Sequence, residues 1–362
     1  MIIPNPYKQV PDYQFWRRSV SGRPGAEVDP LVSTSFTITR QTKVATAGSC
    51  FAQHIAKTLQ SSGYGYMVTE ERPASPAATD ENYGVFTARF GNIYTIRQLL
   101  QLFDRAYGLF EPNDRFWKRA DGRFVDPFRP MVQQGGFASQ EDAEADRQAH
   151  FDAVQRMFES CDVFVFTLGL TEGWAAKIDE AVFPLAPGVV GVEGRAEDYA
   201  FRNFSVAQME SELSLFIERL RGVNPTCKII LTVSPVALIA TFENRHVLTA
   251  TTFSKAALRV VAEMVSRRFD SVDYFPSYEI ITGPQTGGKF YEPDLREVRA
   301  EGVSYVMSIF RKHYMEGETI ATSMPGSTTP NQKSYDSEMR EMREMRSIQS
   351  VICDEERIEE SL

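Results

Sequence analysis

Four short apolar runs, set between stretches of helical spacing, limit what this chain can fold into. They are Lys43-Val44-Ala45-Thr46-Ala47, Asp162-Val163-Phe164-Val165-Phe166-Thr167-Leu168, Lys228-Ile229-Ile230-Leu231-Thr232-Val233 and Val272-Asp273-Tyr274-Phe275. The second and third are apolar at nearly every position, so both faces of each strand need cover, as in a parallel sheet. Between the runs the apolar spacing turns helical. Segment 51–62 carries Phe51, Ile55 and Leu59 with Ala52 and Ala56 beside them, and 95–107 carries Ile96, Leu99, Leu100 and Phe103. Segment 139–160 opens on a Ser-Gln-Glu-Asp cap, and 205–221 and 252–269 complete the set of expected helices. Strand and helix alternate, which predicts an α/β fold: a three-layer α/β/α arrangement around a mostly parallel sheet. A further strand is expected over 63–69 and a loop over 71–80.

The remaining segments flank or interrupt that alternation. Residues 1–40 contain Pro4, Pro6, Pro11, Pro24 and Pro30 and read as an irregular lead-in, leaving 41–314 as the α/β domain. Within it, 109–138 mixes aromatic residues with Gly and Pro and reads as an irregular insertion. Its Trp117, Phe124 and Phe128 suit either a carbohydrate-stacking wall or a lid with its own small core. Residues 315–362 form a polar linker and a charged tail with Met339, Met342 and Met345 at every third position, expected to be flexible and to end in a short helix.

A net charge of −9 argues against general affinity for nucleic-acid backbone, which needs clustered Lys and Arg. The four cysteines, at 50, 161, 227 and 353, have neither CxxC spacing nor companion histidines, so no zinc knuckle, other metal site or disulfide framework is expected, and reduced thiols suit a cytosol. No secretory h-region and no 18-residue apolar run is present, so the expectation is a cytoplasmic protein with no membrane span. No cofactor motif appears.

Chemistry concentrates where the strands end. Gly48-Ser49-Cys50, Thr167-Leu168-Gly169-Leu170-Thr171-Glu172-Gly173-Trp174 and Thr232-Val233-Ser234-Pro235-Val236 would surface along one edge of a parallel sheet, where open α/β folds place their sites. Small residues at such a turn serve either close packing or a nucleophile. Cys50 favours the second reading, because helix N–H groups stabilise a thiolate.

These blocks, with Ser254-Lys255-Ala256-Ala257-Leu258-Arg259 and Tyr274-Phe275-Pro276-Ser277-Tyr278-Glu279, resemble the bacterial GSCFA-domain family, which is similar to the SGNH (GDSL-type) hydrolases. The resemblance spans residues 5–315. It implies a nucleophile at Cys50, or at Ser49 if the register slips by one. It also implies an oxyanion hole drawn from Gly91 or the adjacent Asn92, from Gly169 and from the Thr171 hydroxyl, with Glu172 orienting a base or facing solvent. Ser234 at its strand end and Lys255 are candidate substrate contacts, Lys255 being alternatively a solvated side chain beside a serine N-cap. The Asp-x-x-His pair of SGNH enzymes falls on Asp294-Leu295-Arg296-Glu297, where Glu297 replaces the histidine. The base then has to come from elsewhere. His246, on a loop after the third strand, is the leading candidate, ahead of His54, His150 and His313.

The resemblance implies an acyl-ester hydrolase or O-acyltransferase acting on a small-molecule or glycan substrate, such as an O-acyl group on a polysaccharide precursor. A non-catalytic carbohydrate- or ligand-binding protein on the same scaffold is the alternative, and a thiol redox protein a third, for which Cys50 has no resolving cysteine nearby in sequence.

Overall fold

Each apolar run becomes a strand of one central sheet. The computed structural model describes residues 5–72, 82–317 and 353–360. In chain order the elements are α1 (Trp16–Ser19), β1 (Val44–Gly48), α2 (Ala52–Ser61), α3 (Ile96–Ala106), β2 (Trp117–Lys118), β3 (Phe124–Val125), α4 (Gln140–Ser160), β4 (Val163–Leu168), β5 (Glu172–Ala176), β6 (Val182–Phe183) and β7 (Tyr199–Asn203). They continue with α5 (Val206–Val223), β8 (Lys228–Val233), α6 (Val247–Arg268), β9 (Val272–Phe275), α7 (Ser277–Thr282), α8 (Ala300–Tyr314) and α9 (Glu356–Glu360). The sheet runs β1-β4-β8-β9, every pair parallel, with Gly48 opposite Thr167 and Thr167 opposite Thr232.

The strand period of two divides the core. Phe164, Phe166 and Leu168 of β4 face one way, with Ile229, Leu231 and Val233 of β8, into a layer built by α3, α4, α5 and α6. Val163 and Val165 face the other way with Ile230, into a layer built by α2, α7 and α8. The fold is α/β/α. Its helices start where short polar side chains supply an acceptor: Thr95 and Ser205 make capping boxes with Gln98 and Gln208, and Ser139 caps α4.

Four expectations change. The strand expected over 63–69 is a single bridge, Tyr66 beside Val44 of β1, and not a further strand of the sheet. The helix expected over 252–269 begins at Val247, with His246 as N-cap, so Ser254 and Lys255 lie inside it rather than at its start. Segment 172–203, read without strands, forms a second sheet in the order β6-β5-β7, antiparallel throughout. Its Gly- and Ala-rich β5 has little strand propensity and is held by its neighbours. In the insertion, β2 and β3 pair, and Trp117, Val125 and Phe128 pack on Phe183 and Tyr199. Trp117 is fully buried, with Nε1 donating to Asp114, so these rings are a core and not a stacking wall.

The lead-in holds short turns and is anchored at Ile38, which bridges Met315 after α8. Most of the loop expected over 71–80 and the segment with Met339, Met342 and Met345 lie outside the described residues; the end of the chain is described from Cys353.

Candidate active site

The turn after β1 is shaped by two glycines, one with no room for a side chain and one with little. Gly48 has φ +133°, and a Cβ there would stand 2.3 Å from the Thr167 carbonyl oxygen. Gly169, after β4, comes so close that a Cβ would lie 3.0 Å from Ser49 Cβ and 3.1 Å from the Tyr94 carbonyl oxygen. Ser49 is thereby roofed over, and its hydroxyl has no hydrogen-bond partner among the described residues. Cys50 lines a cavity of about 350 Å³ together with His54, Val236, Arg296 and Glu297.

The end of the chain closes that cavity. Cys353 lines it and accepts a hydrogen bond from the Cys50 thiol, a contact that raises the Cys50 pKa, as burial also does, and lowers that of Cys353 against the opposite pull of burial. Asp354 is buried, and its carboxylate accepts from the side-chain amide and backbone N–H of Asn92. Burial nonetheless pushes it up to about 6. Glu355 is buried too. Its backbone N–H donates to the Tyr94 hydroxyl at 3.3 Å, and its carboxylate pairs with Arg296 at 3.2 Å. Burial raises its pKa against the pull of Arg296 and Lys255.

Lys255 is a core residue, 2% exposed, and donates to the Gly169 carbonyl at 2.7 Å. Burial lowers its pKa to about 8, and both Glu355 and Cys50 lie within its electrostatic reach. That burial rules out the solvated alternative for Lys255. Its position inside α6 aims the stem across the strand ends instead of into water. Gly91, with φ +71°, and Asn92 sit directly beside Asp354.

Other expected site residues are occupied elsewhere. The Gly169 N–H is spent on the Tyr94 carbonyl, so it is no oxyanion donor. The Thr171 N–H donates to Ser254, while its buried hydroxyl has no partner among the described residues. Glu172 accepts from Thr241 at 2.9 Å and holds the loop after β8, with burial raising its pKa. The Ser234 hydroxyl accepts from the Val236 N–H within its own turn. None of Gly169, Thr171, Glu172 and Ser234 lines the Cys50 cavity.

The expected bases also move. His246 is exposed, its Nδ1 accepting the Leu248 N–H as a helix cap, and it is not a lining residue. Asp294 is exposed and accepts from the N–H groups of Arg296 and Glu297, so it shapes a turn and orients no imidazole. Glu297 lies at the cavity rim, exposed. Of the histidines only His54 lines the cavity; burial, aided by Lys57, lowers its pKa to about 3. His150 is buried against Glu70, and His313 pairs with Asp29.

Sequence reasoning missed Arg296, Tyr94 and the segment 353–355. Arg296 stands inside the Asp294–Glu297 block, where the Asp-x-x-His pattern gives a role to the first and last positions only. The signal for the tail was Cys353 itself, a thiol in an otherwise charged segment.

The family model described as the GSCFA family matches residues 43–310. No curated protein matches the chain in sequence. Among solved structures, an acetyl xylan esterase from the rumen bacterium Butyrivibrio proteoclasticus is similar at 12% identity and a TM-score of 0.23, over 65% of this chain and 55% of that one. The chain thus spans little more than half of that esterase's length, and a likeness of that size says nothing about chemistry here.

Proposed function

This chain belongs to the GSCFA family, and on that premise we propose that it is an acyl-ester hydrolase or O-acyltransferase in which Cys50 is the nucleophile. One observation carries the reading. After β1 the Cys50 thiol lines a cavity together with Arg296 and Cys353, and the residues that follow Cys353 set one carboxylate on the Asn92 donors and the next on Arg296.

In this reading the Cys50 sulfur attacks the ester carbonyl, and its proton passes to Lys255 in the neutral form that a pKa of about 8 makes available near neutrality. The developing oxyanion takes the place of the Asp354 carboxylate and is held by the Asn92 amide and N–H. The leaving alcohol recovers the proton, and a thioester on Cys50 remains. Water then releases the acid, or a sugar hydroxyl accepts the acyl group, and the thiol is regenerated.

A bacterial polysaccharide or its precursor is the acceptor or substrate class we propose, on the family resemblance. The exposed ring of Phe242, 4.7 Å from Trp174 on the loop that Glu172 holds, offers sugars a stacking face. No helix of the described residues is long and apolar enough to cross a membrane.

Incubation with p-nitrophenyl acetate, followed by intact mass and peptide mapping, tests the reading. The expected result is an acetyl adduct on Cys50, with turnover reduced about 10³-fold or more in Cys50→Ala and retained in Ser49→Ala. An acetyl group found only on lysines, with full turnover in Cys50→Ala, would overturn it. Neither adduct nor turnover with any ester would favour a ligand-binding protein.

A further inference from the structure

Three consecutive residues at the end of the chain each meet a different part of the Cys50 site. Cys353 lies on the Cys50 thiol, Asp354 on the Asn92 donors, and Glu355 on Arg296, within the electrostatic reach of Lys255. A segment packing by apolar burial alone would not place two carboxylates in a protein interior. Desolvating a carboxylate costs several kcal/mol unless donors and cations stand ready for it. Here they do. The Arg296 Nη2 atom lies 3.2 Å from Glu355 Oε2 and 3.8 Å from Cys353 Sγ, and its Nε is fixed by the Ala237 carbonyl at 3.2 Å. Lys255 is buried and pinned on the Gly169 carbonyl. An arginine fixed through its own Nε forms a seat for an anion, with the buried Lys255, whose hydrogen bond goes to Gly169, adding its field, and the tail supplies the anion.

We propose that segment 353–360 is a tethered ligand of the Cys50 site, and that the Arg296–Lys255 seat filled by Glu355 is the subsite for an anionic group, a carboxylate or phosphate, on the substrate. The inference rests on Cys50 being the reactive centre of the site. The tail carboxylate on Asn92 stands where an acyl oxygen would develop charge, and the next carboxylate, on Arg296, stands where the substrate's own anion would be read. The tail competes with such a substrate because both need the same donors.

Cysteine alkylation tests this in the full-length reduced chain without requiring ester turnover. Iodoacetamide and iodoacetate carry the same reactive carbon without and with a negative charge, respectively, and peptide mapping reports the rate at Cys50 alone. In wild type the tail shields Cys50. Removing both tail carboxylates in Asp354→Ala/Glu355→Ala is expected to raise the iodoacetamide rate at Cys50 about tenfold, the worth of the two lost polar anchorages.

In that background iodoacetate should gain on iodoacetamide by roughly threefold relative to the same pair of reagents on urea-unfolded protein. Arg296→Gln should abolish the gain and Arg296→Lys keep most of it, thermal unfolding of each variant confirming the fold. An unchanged rate in the tail variant overturns the tethered ligand. A released tail with no charge preference, or one indifferent to Arg296→Gln, overturns the anion subsite. Charge preference without reaction of any ester would leave this inference standing and sink the acyl-transfer reading. Ester turnover with no charge preference would do the reverse.

Discussion

Gly48 and Gly91 both have positive φ, yet they carry different loads. At Gly48 the φ of +133° excludes any side chain, and the β1–β4 pairing puts Thr167 O 2.3 Å from where a Cβ would be. An alanine must break the strand register or the turn, so Gly48→Ala is expected to cost about 3 kcal/mol or more, read as a lowered urea midpoint. At Gly91 the φ of +71° is left-handed and the nearest atom to a Cβ is Asp354 Oδ2 at 3.7 Å, so Gly91→Ala should cost only about 1 kcal/mol. Equal losses would mean that backbone conformation alone decides both. The residues of the Cys50 turn were legible for this reason, since Gly48-Ser49-Cys50 encodes a local geometry. Lys255 was legible as a candidate contact but not as a buried residue, and Arg296 was not legible, because their contacts span 86 and 59 positions of the chain, to Gly169 and Glu355.

Among the elements, α4 shows how a helix that looks solvated can be half interior. Its Asp146, Arg147 and His150 turn inward, toward a cluster that includes Asp126, Arg129, Arg89 and Glu70. Asp126 is fully buried and accepts from Arg129 Nε at 3.1 Å and Arg147 Nε at 3.2 Å. Asp126→Ala would remove the carboxylate that Arg129 and Arg147 share, leaving Arg129 on Asp146 and Arg147 on the Arg115 carbonyl, and is expected to destabilise by about 3 kcal/mol in urea unfolding.

The same cluster sets an acid limit. His150, lowered from 6.5 to about 4, stays neutral in the fold while an unfolded histidine takes a proton, so stability falls as pH drops from about 6.5 towards 4. Glu70, lowered from 4.5 to about 2, and Asp126, lowered further, act on the acid side of that. Their contribution is present above the ordinary carboxylate range and is lost as pH falls through their folded values. Urea midpoints should therefore decline below pH 6.5 and drop more steeply below 4.5, whereas a flat profile down to pH 4 would contradict the cluster's role. The helix pattern of α4 was readable in sequence. Its burial was not, because acidic and basic residues at helical spacing look identical on a solvated face and in a paired interior.

On the scale of the whole molecule, the α/β/α order followed from the apolar runs, because strands apolar on both faces have few ways to be covered. The closure of the site by the chain's own end did not follow, since a charged segment gives no sign of which interior would accept it. That closure makes tail docking depend on pH. Asp354 faces Asn92 and Arg357, and Glu355 faces Arg296 and Lys255. Burial still wins at both carboxylates, raising Asp354 to about 6 and Glu355 above its ordinary value. A group whose docked pKa is raised binds a proton on docking, so docking is strongest below the free carboxylate range and weakens as pH rises through about 6. Asp354→Asn keeps an acceptor for Asn92 and carries no charge to desolvate. Compared at the same pH, so that reagent ionisation cancels, Cys50 should be alkylated faster in wild type than in Asp354→Asn at pH 7.5, and the gap should narrow as the pH falls through about 6 towards 5. A gap that is constant with pH, or that reverses sign, would show that the Asp354 carboxylate is not desolvated when the tail is in place.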